Sequence, residues 1–123
     1  MLIRSETFER ADSERVDWRE DIFQFCSFNL IDENTTPLES CYLGCDFLAC
    51  RWYWGFFNTA VFVNCKFTGC HFDGCKFAGC KFVDCQFTDC VFGIDSFGKG
   101  CRFDDNKWYG CEQFNCSGIE DVF

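Results

Sequence analysis

The chain has 123 residues, with 20 acidic against 11 basic residues, a formal net charge of −9, 18 phenylalanines and 13 cysteines. That length is one domain with enough aromatic bulk for a modest core. The acidic balance argues against direct binding of a nucleic-acid backbone, which needs a Lys/Arg surface. No apolar run approaches the roughly twenty residues of a membrane span.

Residues 1–40 carry a weak rhythm of five, with Phe8, Trp18, Phe23 and Phe28 as its recognisable centres. The rhythm favours coil over 5–22. An amphipathic helix through Phe8, Ala11, Arg15, Trp18 and Ile22 competes with it, because the segment is rich in Glu and Arg. Either form must close this end with a polar cap, since an open strand edge invites association. The stretch IDENTTPLES (31–40) holds the only proline and no good centre, and reads as a loop or a deformed corner. The frame leaves it displaced: Phe23 and Phe28 are out of phase with Phe47, Trp52, Phe57 and Phe62. Loops projecting from a repeat often carry contacts, with a harmless irregularity as the plain alternative.

Residues 41–97 are regular. Around Cys45, Cys50, Gly55 and Ala60 the centres stay aromatic, while positions meant for solvent turn apolar. If the frame holds, Tyr53, Trp54, Phe56, Val61 and Val63 point outward, beside Arg51. The residue stacked on Trp54 is then Gly74, which leaves a shelf for the indole. Clustered exposed aromatics mark an interaction surface, unless an N-terminal loop folds over them.

From Cys65 to Phe92 six units keep register, with Cys65, Cys70, Cys75, Cys80, Cys85 and Cys90 each two residues before a phenylalanine. A period of five fits neither helix nor flat strand: on a helix successive centres drift by roughly 140°, and in a strand they alternate faces. The period buries all centres together only if the chain turns a corner once per unit and successive turns stack. Phe97 reads as the last centre of this frame. One extra residue at Gly98–Gly100 reads as a bulge, and 98–123 continue as shifted, decaying coils or a cap. A dimer contact through Ile119, Val122 and Phe123 is the alternative reading of that end.

The pattern of Cys or Ala two residues before a central Phe resembles the pentapeptide repeat family. The resemblance implies an all-β fold, a right-handed four-sided β-helix of about twenty residues per coil. The chain would form one domain over 1–123 with about five to six coils.

Twelve of the thirteen cysteines fit the small inward slot, where a free thiol behaves as a small hydrophobe. Their odd number and the absence of a secretory signal at Met1–Arg4 speak against a disulfide scaffold and for a reducing cytoplasm. Pairs such as Cys65/Cys85 and Cys70/Cys90 stack near enough to oxidise. Consecutive cysteines fall on different walls, which disfavours a metal site, and no cofactor is expected. The lone His71 occupies a slot held by lysines in neighbouring units, so no nucleophile has an evident base and no enzyme is expected.

What remains is binding. The outer walls carry Asp73, Asp84, Asp89, Asp104 and Asp105 just after the centres. With Arg51, Tyr53, Trp54 and Phe56 they form the expected partner-binding set. The expected function is a cytoplasmic module that neutralises one protein partner, an immunity protein against a bacterial toxin, suited by charge to a basic, nucleic-acid-acting one. Some pentapeptide repeat proteins mimic DNA at a type II topoisomerase. That resemblance implies the alternative, a DNA gyrase inhibitor giving quinolone or topoisomerase-poison resistance. Neither direct nucleic-acid binding nor membrane binding is expected, and the protein would be a monomer or homodimer.

Overall fold

The computed structural model describes residues 1–123. Each five-residue unit makes a three-residue strand whose central side chain points in and whose flanking ones point out, the two-residue alternation of any strand. The next residue takes a left-handed φ, as at Asn64, Gly69, Gly74, Gly79, Asp84 and Asp89, and turns the corner. The cysteine slot follows, again facing inward. A unit therefore presents two inward and three outward residues, and four units close one turn.

We letter the walls A to D in chain order. Wall A stacks six strands: Leu2–Arg4, Ile22–Gln24, Cys41–Leu43, Val61–Val63, Lys81–Val83 and Lys107–Tyr109. Wall B stacks Thr7–Phe8, Ser27–Asn29, Asp46–Leu48, Lys66–Thr68, Gln86–Thr88 and Glu112–Phe114. Wall C has four strands, Asp32–Asn34, Arg51–Tyr53, His71–Asp73 and Val91–Gly93, and wall D has Pro37–Leu38, Phe56–Asn58, Lys76–Ala78 and Arg102–Asp104. Every ladder is parallel, so the chain is a four-walled β-solenoid of about five turns and part of another.

The centres fill the lumen as columns of rings. On wall B, Phe28, Phe47, Phe67 and Phe87 lie face to face at 4.7 to 4.8 Å, the spacing of the strands that carry them. Rings from adjacent walls meet edge to face, as Phe62 and Phe67 do at 5.5 Å and 63°, so both favourable aromatic geometries occur in every turn. The thiols do a second job. Cys65, Cys70, Cys75 and Cys80 donate to the carbonyls of Tyr42, Phe47, Trp52 and Phe57 one turn earlier, at 3.1 to 3.3 Å. Asn106 fills the same slot with an amide, donating to the Phe77 carbonyl at 3.0 Å and accepting from the Cys80 amide at 2.9 Å. Where the slot holds Cys or Asn it adds a hydrogen bond to the turn below, whereas Gly55 and Ala60 fill it without one.

Four sequence expectations need correction. Arg10–Arg15 is a short 3-10 helix, neither coil nor the longer amphipathic helix. Local bonds such as the Asp12 amide to the Glu9 carbonyl (2.8 Å) satisfy its backbone in place of a ladder. The Asp12 carboxylate accepts from the Glu9 amide at 2.8 Å, and Arg15 lies 4.6 Å over the Phe8 ring.

The 31–40 stretch is not a loop. Asp32–Asn34 and Pro37–Leu38 pair with Arg51–Tyr53 and Phe56–Phe57, and Ile31 and Leu38 are fully buried. Its centres escaped notice because Glu33 occupies one of them, half-buried and accepting from the Thr36 hydroxyl at 2.9 Å. Pro37 is tolerated because it opens the first strand of wall D, where no earlier strand waits for its missing N–H. The frame shift is a corner one residue short: Ser40 fills the slot and Cys41, the cysteine out of register, faces outward on wall A.

Phe97 is not a centre. Beyond Gly93 the stacking interval rises from 20 to 26 residues, so a whole unit plus one residue leaves the wall as a loop before Cys101 re-enters its slot. The turn chemistry of Asp95 and Gly98 wins over the repeat: the Asp95 carboxylate accepts from the Phe97 and Lys99 amides at 2.8 and 2.9 Å, and Gly98 has φ +79°. At the C-terminal end Ile119 is fully buried and Phe123 stacks on Trp108 at 4.7 Å. The weak centre Gln113 donates to the Ile119 and Phe123 carbonyls. These residues close the lumen, and Ile119 offers no dimer contact.

Candidate functional site

The extruded loop lands on the corner between walls C and D. Trp54 turns that corner with φ +56°, a conformation that costs an ordinary L-residue roughly 1–2 kcal/mol. Its indole stacks against Phe97 at 5.8 Å and 6°, and its Nε1 donates to Asp95 Oδ2 at 3.0 Å. The Tyr53 hydroxyl accepts from the Ser96 amide at 2.8 Å and donates to its hydroxyl at 2.7 Å. Gly74 is obligatory beneath them, because a Cβ there would sit 2.7 Å from Asp95 Cβ and 3.1 Å from Trp54 Cδ1. The amide of Lys99, with the Trp54 indole and the Phe97 amide, holds the Asp95 carboxyl below the usual carboxylate range.

On wall C, Arg51 reaches Asp73 at 3.5 Å. Across the corner on wall D, Phe56 stays 39 % exposed with the Lys76 ammonium 5.7 Å above its ring. The structure thus gathers Arg51, Tyr53, Trp54, Phe56 and Asp73 into one region. It does not gather the other acids. Asp84 lies at the corner of walls A and B, and Asp89 at that of B and C, accepting from Asn115 at 2.7 Å. Asp104 lies on wall D, with Asp105 at the corner of D and A.

Three residues of this region were missed in sequence: Asp95, Ser96 and Phe97. Phe97 was assigned to the core, yet it is 73 % exposed, and Ile94 beside it is exposed as well. The signal was there, an Asp three residues before a Gly, the pattern of a tight turn. The alternative to an open aromatic surface was a cover by an N-terminal loop. The cover comes from the C-terminal side, and it enlarges the aromatic surface, leaving Trp54 38 % exposed.

His71 sits exposed on wall C between Arg51 and Val91. A surface depression of about 430 Å³ is an open groove along Glu14, Arg15, Arg19 and Pro37. Its arginines are already engaged, Arg15 with Asp12 and Arg19 with Glu39.

A family model described as pentapeptide repeats (9 copies) matches residues 62–111, the region where register is cleanest. Residues 62–111 carry pentapeptide repeats. Among solved structures, the chain is similar to a trypsin-treated form of QnrB1, a plasmid-mediated fluoroquinolone resistance protein. The identity is 13 % and the TM-score 0.53, over 94 % of this chain and 66 % of that one, so the chain spans just under two thirds of it. A pentapeptide repeat protein, Rfr23, from the cyanobacterium Cyanothece 51142 aligns at 6 % identity and TM-score 0.30, over 94 % of this chain and 86 % of that one. The likeness to QnrB1 is one of fold. No curated protein matches the sequence.

Proposed function

We propose that the chain is a non-catalytic binding module that captures one specific protein partner and neutralises it, as an immunity protein does a toxin. The observation that carries this reading is the platform of Tyr53, Trp54 and Phe97 latched by Asp95. Large rings, half-exposed and pre-ordered on a rigid corner, have the character of interface anchors. The same corner is turned by Thr35 one turn earlier and by Gly74 one turn later, so the backbone does not require an indole at this place. Asp73 and Asp95 beside the platform, in a chain of charge −9, favour a basic partner through steering. A nucleic-acid-acting toxin has such a surface, and a reducing cytoplasm suits the free thiols.

The test is capture by tagged wild type from native lysate under reducing conditions, followed by affinity measurement on what is identified. A single toxin-like protein is expected, with Trp54→Ala and Phe97→Ala each weakening binding by roughly tenfold or more while circular dichroism stays unchanged. Undiminished affinity in both variants would remove the platform from the interface.

A DNA-mimicking inhibitor of DNA gyrase is the second reading, favoured by the net charge. The placement of the acids supports it less. Asp84, Asp89 and Asp105 stand on three different corners, and Lys66, Lys76, Lys81 and Lys107 interrupt the walls, whereas a duplex presents unbroken rows of negative charge. Inhibition of gyrase supercoiling that Asp84→Asn with Asp89→Asn relieves would establish this reading in place of the first.

A further inference from the structure

Wall A differs from the other three walls. Its outward positions before each centre are Leu2, Ile22, Cys41, Val61, Lys81 and Lys107, and those after it are Arg4, Gln24, Leu43, Val63, Val83 and Tyr109. No carboxylate stands on any of its six strands, whereas wall B carries Asp46 and Glu112, wall C Asp32, Glu33 and Asp73, and wall D Asp104. Leu2 and Tyr109 are more than half exposed, and Cys41, Leu43, Val61, Val63 and Val83 are partly so. Phe25 extends this apolar surface at the corner with wall B, where its ring lies over Gly44. An apolar sheet face of this extent is normally covered.

We propose that wall A is covered by wall A of a second copy, making a side-by-side homodimer. Two properties select that occupant. The first is charge. A chain of net charge −9 repels its own copy over most of its surface, and wall A is the one face where two copies meet without opposing carboxylates. Its charged strand residues, Arg4, Lys81 and Lys107, lie at the ends of the wall. When two copies share their middle turns with axes antiparallel, Leu43 and Val61 meet apolar neighbours. The basic end of one copy then falls on Leu2, Ile22 and Arg4 of the other, and Arg4 on Tyr109, an arginine on a ring. The second property is period. The side-chain ridges of wall A repeat at the strand spacing of about 4.8 Å. A second copy repeats at the same spacing and interdigitates along the whole height, as facing sheets do. A helix, with a pitch of about 5.4 Å, drifts out of step within a few turns.

Six strands with two outward positions each fall short of the roughly 20–30 residues a side of a standard interface. The dimer is therefore reversible, populated at concentrations on the order of tens of micromolar.

Sedimentation equilibrium of the reduced protein across that range tests this directly. A monomer–dimer equilibrium is expected, with Val63→Glu, flanked on the wall by Leu43 and Val83, raising the dissociation constant by roughly a hundredfold, because each copy then buries an unpaired charge. Thr68→Glu, the same charge on wall B of the same turn, should leave it within about twofold. In wild type, alkylation of Cys41 should slow as concentration rises while that of Cys101, on another face, does not. A wild type that stays monomeric throughout overturns the proposal. So does a dimer that Val63→Glu leaves intact, or one disrupted equally by Thr68→Glu.

Discussion

Each inward position asks something different of its side chain. At a centre the demand is for a flat apolar body, met by a ring stacked on both sides. Phe67, with Phe47 and Phe87 each at 4.7 Å, cannot be truncated without a cavity that its rigid neighbours fail to close. Phe67→Ala should cost about 3–5 kcal/mol in urea denaturation. Trp52 makes the useful contrast. Its indole is fully buried and its Nε1 has no partner, so Trp52→Phe removes an unsatisfied donor while giving up some volume. The two effects oppose, and the net change should stay within about 1 kcal/mol. At most slots the side chain is small, and where it is cysteine the thiol also donates. Burial pushes the Cys80 thiol up to about 11, so at neutral pH it keeps the proton that it donates. Native alkylation at pH 7.5 (about one unit below the free thiol value) should label Cys41, Cys101, Cys111 and Cys116 first. The nine fully buried thiols should react only on unfolding.

Corners and the loop are where units depart from their repeat. A left-handed corner suits Gly, Asn and Asp, yet Thr59 occupies one with φ +53° where Gly79 stands a turn later. A β-branched residue is strained there, so Thr59→Gly should raise stability by about 0.5–1 kcal/mol in thermal melts. The 94–100 loop is held mainly by one carboxylate. The Lys99 amide, with the Trp54 indole and the Phe97 amide, lowers the Asp95 value in the folded state relative to the unfolded one. Its contribution is therefore complete above the ordinary carboxylate range, near pH 4, and is lost as pH falls through the lowered value. The indole N–H resonance of Trp54 should shift on acidification below that range, and the shift should vanish in Asp95→Asn. An unchanged titration in that variant would mean another group latches the loop.

For the whole molecule the decisive fact is that each turn touches only its neighbours, so the two end turns must be closed separately. The N-terminal turn is closed by the 3-10 helix with Arg15 over Phe8, the C-terminal one by Ile119 and Phe123. Removing 115–123 would uncover Trp108 and Phe87 while leaving every wall strand in place. The truncated chain is expected to melt at lower temperature and to associate end to end in size-exclusion chromatography, since an open parallel edge is a template for another.

Sequence by itself determined the solenoid, because a period of five leaves no other way to bury every phenylalanine at once. It also determined the fate of the cysteines, and it placed Tyr53, Trp54 and Phe56 outside the core. Where turn chemistry or a polar centre overrode the repeat, it misled: Glu33 hid two strands, and Asp95 with Gly98 pulled Phe97 out of the lumen. Tertiary structure alone decided what meets across turns. The Trp54–Asp95 bond joins residues 41 apart, and wall A is assembled from strands about twenty residues apart. Neither a latch nor an apolar face exists until stacking brings its members side by side, so no local pattern in the chain could announce them.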